Sequence, residues 1–363
     1  MFIRINNSKK PPLVDLYHSG NIEEFRQIIN QGENLNCLST GGKSLIDEII
    51  RNKDFNNDLN KLFFDAMIDA GVHLGCIGRE QTPLRSSISY QRDIYYMKRI
   101  LESGVDASCK DERINYYNDS YYFDSPLHDV MVVGDLEKIK LLLEYNADVN
   151  VINDSGESIL FDVLRSHRSY LTELVDILIN HGADPNIKCD HGKISLHILS
   201  ININGQEQFN EILDVLLKNN VDINSACNNM YTSLVYAVIF KNHAAMNTLI
   251  DRGADINFKG KNGKTPAMIA VERGNYDEFK ILCDAGCNLR FPDSEYTNMA
   301  HVILANSGNI FLNDFMWFFE KNSDLLFEKN KNSISAMSIL KSKYPAEYKK
   351  INKYLEENKK EYN

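Results

Sequence analysis

Residues 253 to 274 read GADINFKGKNGKTPAMIAVERG: a helix end, an extended finger, a tight turn and a helix start. Gly253 suits the left-handed residue that closes a helix, a conformation in which a Cβ is penalised. Asp255, Asn257, Asn262 and Gly263 supply the turn chemistry that follows. The Thr265 hydroxyl can cap the next helix, and Pro266 fits its first position, where no N–H is needed. Met268, Ile269 and Val271 give that helix its apolar side.

The chain repeats this unit. Starts resembling Thr265-Pro266 stand at Gly42-Lys43-Ser44-Leu45, Thr82-Pro83-Leu84, Ser125-Pro126-Leu127-His128, Ser158-Ile159-Leu160, Ser195-Leu196-His197 and Thr232-Ser233-Leu234. Ends resembling Gly253-Ala254-Asp255-Ile256-Asn257 alternate with them, as at Asn146-Ala147-Asp148-Val149-Asn150 and Gly182-Ala183-Asp184-Pro185-Asn186. The recurring Asn150, Asn186, Asn224 and Asn257 are 36, 38 and 33 residues apart. Spacing of this kind predicts repeats at about 11–36, 41–74, 79–108, 125–150, 153–186, 189–224, 227–257, 260–289 and 293–324. Residues 109–124 read as an inserted, tyrosine-rich finger, and 325–363 as a helical pair that caps the array.

Composition bounds the function. Of 363 residues, 43% are apolar and 25% charged, which fits a folded chain and an elongated array. A net charge of −10 argues against a nucleic-acid scaffold, which needs a broad basic face. MFIRINNSKKPPLVDL has no apolar run long enough for a signal peptide, and the apolar cluster Phe311 to Phe319 is too short to span a bilayer. Seven irregularly spaced cysteines suggest reduced thiols and a cytoplasmic location.

A period near 33 with a T-P-L-H-like start is the signature of ankyrin repeats, and the chain resembles that family over nearly its whole length. Ser125-Pro126-Leu127-His128 and Thr265-Pro266 match the helix-start motif best; Gly182-Ala183-Asp184 and Gly253 to Asn257 match the repeat end. The resemblance implies an all-α solenoid of about nine helix-turn-helix repeats with hairpin-like fingers and a C-terminal cap. It also implies that His128 and His197 hydrogen-bond across repeats, and that partners meet the finger tips and the exposed ends of the inner helices.

Carried onto this sequence, those contact positions are Lys259, Lys261, Lys264, Glu272 and Arg273 in the most regular copy, and Tyr231, Ile239 and Phe240 in the copy before it. Val132 and Val133 end an inner helix, and Lys188, Asp190, His191 and Lys193 lie in a finger. Val132, Val133, Ile239 and Phe240 stand where many such repeats carry polar residues, so they read either as an apolar strip or as packing between repeats. Tyr116, Tyr117, Tyr121, Tyr122 and Phe123 concentrate aromatics in the inserted finger, and insertions of this kind often fall on the binding side.

Catalytic motifs are missing: there is no GxGxxG, P-loop, HExxH or GxSxG. Cys283-Cys287 lacks a partner pair at zinc spacing, and Cys189-Asp190-His191 are merely adjacent in sequence. The expectation is a monomeric, non-enzymatic scaffold for a partner protein, with no cofactor, metal, nucleic acid, membrane or small-molecule ligand. The abundance of Asn, Ile, Lys and Tyr keeps open an effector or adaptor of an intracellular pathogen or virus acting on a host protein. The end from Asn330 to Asn363 lacks the Leu-Pro start of an F-box-like tail. An enzyme with the stack as substrate scaffold is a third alternative.

Overall fold

The computed structural model describes residues 12–38, 43–52, 57–75, 82–90, 93–109, 111–115, 120–166, 170–203, 205–260, 263–290, 298–306 and 312–358. The chain forms two compact units, Met1–Asp184 and Pro185–Asn363. In the first, helices α1 (Pro12–Ser19), α3 (Leu45–Arg51), α5 (Pro83–Tyr90), α7 (Pro126–Val133) and α9 (Ile159–Arg165) begin successive helix pairs. They alternate with α2 (Ile22–Asn30), α4 (Asn57–Asp69), α6 (Tyr95–Glu102), α8 (Leu136–Glu144) and α10 (Leu171–Asn180). Helices α3, α5, α7 and α9 pack in sequence as an inner layer, and α2, α4 and α6 as an outer one.

The second unit follows the same plan. Its inner layer is α11 (Ser195–Asn202), α13 (Ser233–Ile239), α15 (Pro266–Glu272), α17 (Met299–Asn306) and α19 (Ala336–Lys343). Outside lie α12 (Gln206–Lys218), α14 (His243–Asp251), α16 (Tyr276–Asp284), α18 (Met316–Lys321) and α20 (Pro345–Asn358).

Local chemistry explains these boundaries. Ser44, Thr82, Ser125, Thr265 and Ser335 each accept, through the side-chain hydroxyl, the backbone N–H three residues on. Outer helices end in a left-handed residue: Gly253 has φ +86°, and its N–H and that of Ala254 donate to the carbonyls of Ile250 and Leu249 at 3.0 and 2.9 Å. Asn146 and Asn220, both at φ +58°, occupy that slot in their own repeats, since Asn tolerates the conformation better than other L residues. Fingers close through single antiparallel bridges such as Ile152↔Ser158 and Ala226↔Thr232.

The inserted finger is more ordered in its backbone than an irregular loop. Strand β1 (Asp111–Asn115) pairs antiparallel with β2 (Ser120–Asp124), Arg113 opposite Tyr122 and Ile114 opposite Tyr121. A run of Ser-Tyr-Tyr-Phe favours strand over helix.

Polar side chains join each repeat to its neighbour. The Oδ1 of Asn36, Asn150, Asn224 and Asn257 accepts the backbone N–H of His73, Asp184, Asp255 and Asn288, at 2.7 to 3.0 Å. Ser108 substitutes for Asn in its repeat and accepts from Asp148 N–H at 2.7 Å. The first unit also buries an ion pair between Arg85 of α5 and Asp129 of α7, which the repeat pattern does not reveal.

His197 is fully buried. Its Nδ1 accepts the Ile194 N–H at 3.1 Å, so Nε2 carries the proton and donates to the Tyr231 carbonyl of the next repeat, also at 3.1 Å. This is the cross-repeat role that the resemblance implied for the motif histidine. Burial pulls its pKa down from 6.5 to about 4, against the pull of the backbone carbonyl of Tyr231. The folded state therefore binds the proton more weakly than the unfolded chain does. The associated stability is complete above pH 6.5 and is lost as pH falls from there towards 4, amounting to about 3 kcal/mol. A His197→Gln variant is expected to be less stable at pH 7 by about 1–2 kcal/mol and to show a shallower loss between those pH values in urea titrations. Equal acid slopes for the two proteins would remove His197 from this role.

Candidate partner-binding face

The centre of the candidate face is the repeat built on α13, in the second unit. Thr232 begins the helix, and Tyr231 stands just before it, at the base of the finger. In other repeats the corresponding position and the residue eight further on, at the helix end, form an ion pair. Glu157 holds Arg165 with two bonds of 2.5 and 2.6 Å, and Lys264 holds Glu272 at 2.7 Å. Around α13 the same two positions are Tyr231 and Ile239, so a charge pair is replaced by an aromatic and an aliphatic side chain.

Tyr236, one helical turn before the end of α13, organises its neighbours. Phe240 stacks on it with centroids 6.4 Å apart and planes 26° apart; Tyr231 and His197 meet it edge-on at 6.0 and 5.6 Å. Lys193 of the preceding finger places Nζ 5.0 Å from the Tyr236 centroid. The Tyr236 hydroxyl lies 3.5 Å from Cys227 Sγ, and burial, reinforced by this contact, pushes its pKa up. Tyr236 itself is buried, yet Phe240 remains 52% exposed and Met230 45% exposed. Ile239 and Tyr231 are half-buried. The ring of Tyr236 packs inside, while Met230 and Phe240 stay open to solvent and Tyr231 and Ile239 partly so.

Backbone conformation marks the same repeat. Met230 has φ +58° and Lys241 φ +56°, where other repeats place Gly192 and Gly263 at the finger turn, and Gly134 and Gly274 between the helices. Non-glycine residues held in the left-handed region carry strain, which structures tend to keep at functional positions.

The remaining sequence candidates are dispersed. Lys188, Asp190, His191, Lys259 and Arg273 are exposed on fingers or helix ends of the second unit, and Lys264 and Glu272 engage each other. Cys189 is buried while Asp190 and His191 face solvent, so these three neighbours do not share one environment. In the first unit Val132 and Val133 are 86% and 51% exposed, at the end of α7. Tyr121, Tyr122 and Phe123 lie on β2; Tyr116, Tyr117 and Lys261 fall outside the described residues.

Among the described residues there is no cluster of three or more His, Cys, Asp or Glu side chains able to hold a metal ion. No helix among them is long and apolar enough to cross a membrane. Sequence reading named Lys193 as a finger residue but missed Met230, Lys241 and Tyr236. The signal for Met230 and Lys241 was present, since each replaces a glycine of the repeat pattern. It also missed Asn298-Met299-Ala300-His301, a disguised helix start whose His301 Nε2 lies 3.0 Å from the Ile334 carbonyl of the following pair.

A family model described as ankyrin repeats (3 copies) matches residues 163–260, 201–293 and 234–312, and a single ankyrin-repeat model matches 123–154. The inactive serine/threonine-protein kinase TEX14 of Bos taurus is 35% identical over 80 residues, 22% of this chain and 5% of that protein. The putative ankyrin repeat protein L86 of Acanthamoeba polyphaga mimivirus is 27% identical over 184 residues, 45% of this chain and 28% of that protein. The chain therefore spans a small part of these relatives' length. Among solved structures, the ankyrin repeat domain of Bcl-3, a member of the IkappaB protein family, superposes with a TM-score of 0.53 at 20% identity, over 63% of this chain and 98% of that one.

The strain assigned to this repeat is measurable. Met230→Gly and Lys241→Gly are each expected to raise stability by about 1 kcal/mol, seen as a higher urea midpoint. A lower midpoint for both variants would mean that their side chains stabilise the fold rather than burden it.

Proposed function

Because the chain belongs to the ankyrin-repeat family, we propose that it is a protein-recognition module without catalytic activity of its own. It binds a partner through the fingers and inner-helix ends of its second unit. The observation that carries this reading is the exposed Met230–Tyr231–Phe240 surface, mounted on a buried Tyr236. Aromatic and aliphatic side chains held in fixed positions are what interface hot spots are made of. Since Phe240 and Tyr231 are already ordered against Tyr236, binding costs little side-chain entropy.

The Asn-, Ile-, Lys- and Tyr-rich composition, together with likeness to a mimivirus protein, favours a virus or pathogen setting as the second reading. In that setting the same face acts on a host protein.

The test is affinity capture with mass spectrometry from candidate source and host lysates, run in parallel on three proteins. Tyr231→Ser/Phe240→Ser is expected to lose the captured partner while keeping its helical circular dichroism. Val132→Ser/Val133→Ser is expected to keep it. The reverse pattern would move the site to the first unit, and retention by both variants would refute the face proposed.

A further inference from the structure

Charge on the first three helix pairs of the second unit is sorted by layer. The fingers and inner-helix segments 185–194, 225–241 and 258–274 contain seven basic residues (three of them Lys259, Lys261 and Lys264) and two acidic ones, Asp190 and Glu272. The outer helices α12, α14 and α16 have the opposite balance, with seven acidic residues against Lys218 and Lys280. In a chain of net charge −10, the excess of cations therefore lies on the layer that carries the exposed aromatic and aliphatic surface.

Of these cations, Lys264 is engaged by Glu272. Lys241, Lys259 and Arg273 are exposed, and Lys193 extends over the Tyr236 ring beside the apolar patch. In the first unit the segment 109–133 has the opposite balance, with five acidic residues against Lys110 and Arg113.

Resting on the reading that this face binds a partner protein, we infer that its ligand is an acidic polypeptide segment bearing a large apolar side chain. The apolar side chain lies against Phe240 and Met230, and the flanking Asp or Glu residues face Lys193, Lys241 and Lys259. Cations ringing an apolar centre give steering and choice of partner, while the apolar contact supplies most of the affinity. A single-stranded nucleic acid fits the cations less well. The middle of the face is Met230, Ile239 and Phe240, with only two tyrosines nearby for stacking, and the acidic outer layer repels a polyphosphate chain.

A random peptide library displayed against the full chain tests this directly, with Phe240→Ser and Lys193→Glu/Lys241→Glu/Lys259→Glu as counter-targets. Wild type is expected to enrich sequences with Asp or Glu flanking Phe, Leu, Ile, Met or Trp. A labelled peptide of the enriched consensus should bind about tenfold more weakly to either variant, and its affinity for the wild type should fall as ionic strength rises. Both variants are checked by circular dichroism for intact helix. Enrichment of basic or uncharged apolar peptides that Phe240→Ser loses would overturn the acidic-ligand inference and leave the recognition reading standing. Displacement of the labelled peptide by a short single-stranded oligonucleotide, with no acidic consensus, would likewise overturn it. A library enriched equally on wild type and Phe240→Ser would sink both.

Discussion

Carbonyl groups left open at the ends of inner helices and fingers are the groups on which each unit depends. A helix cannot satisfy its last carbonyls internally, and here the following repeat supplies the donors. Asn242 Nδ2 donates to the Ser200 and Ile203 carbonyls at 3.0 and 2.7 Å, and Asn275 Nδ2 to Val238 at 2.8 Å. Elsewhere chemically different residues do the same job: Lys138 Nζ reaches the Ile88 carbonyl at 2.9 Å, and the Tyr170 hydroxyl reaches that of Gly134 at 2.6 Å. His197 makes the opposite connection, donating forward to the finger carbonyl of Tyr231 in the following repeat. A repeat without its successor would expose these acceptors together with an apolar flank, so helix pairs stand as a stack and not singly.

Much of this was legible in the chain itself, because the residues that set the backbone also set the repeat. Gly253, Thr265 and Pro266 each demand a particular conformation, and they recur in a fixed order. Asn146 and Asn220 were still readable as repeat ends although they adopt the left-handed turn normally given to glycine, because the Asp and Asn that follow keep the pattern. Reading failed at Asn298, which caps α17 in place of Ser or Thr. It failed again where the partner is distant. Nothing in the local pattern says that Arg85 pairs with Asp129, 44 residues away. The candidate face was half legible: Tyr231, Ile239 and Phe240 stood out as apolar residues at exposed register positions. Tyr236 needed the three-dimensional arrangement, since its ring, which gathers Tyr231, Phe240 and Lys193, is buried and looks in sequence like any core residue.

The repeat around α13 shows how a binding surface is written onto a repetitive frame. Buried positions keep the frame's chemistry: Leu234, Val238, Met246 and Leu249 fill the core as their counterparts do elsewhere. At the rim an ion pair gives way to Tyr231 and Ile239 and two glycines give way to Met230 and Lys241; beneath them the buried Val235 stands where other repeats carry a histidine, and the buried Tyr236 supports the rings. Stability lost at the two turns is small beside the contribution of a filled core, so the repeat tolerates a strained rim.

The reach of the cross-repeat hydrogen bonds has a consequence for how such a chain changes over generations. Asn224 to Asp255 and Asn257 to Asn288 each span 31 residues, His301 to Ile334 spans 33 and His197 to Tyr231 spans 34; every bond ends in the adjacent repeat. Duplicating or deleting one whole repeat within a unit leaves each donor facing an equivalent carbonyl. The gene can therefore lengthen or shorten in steps of one repeat without redesigning these recurring backbone contacts, and a duplicated copy is free to acquire new finger and helix-end residues while its twin keeps the old ones.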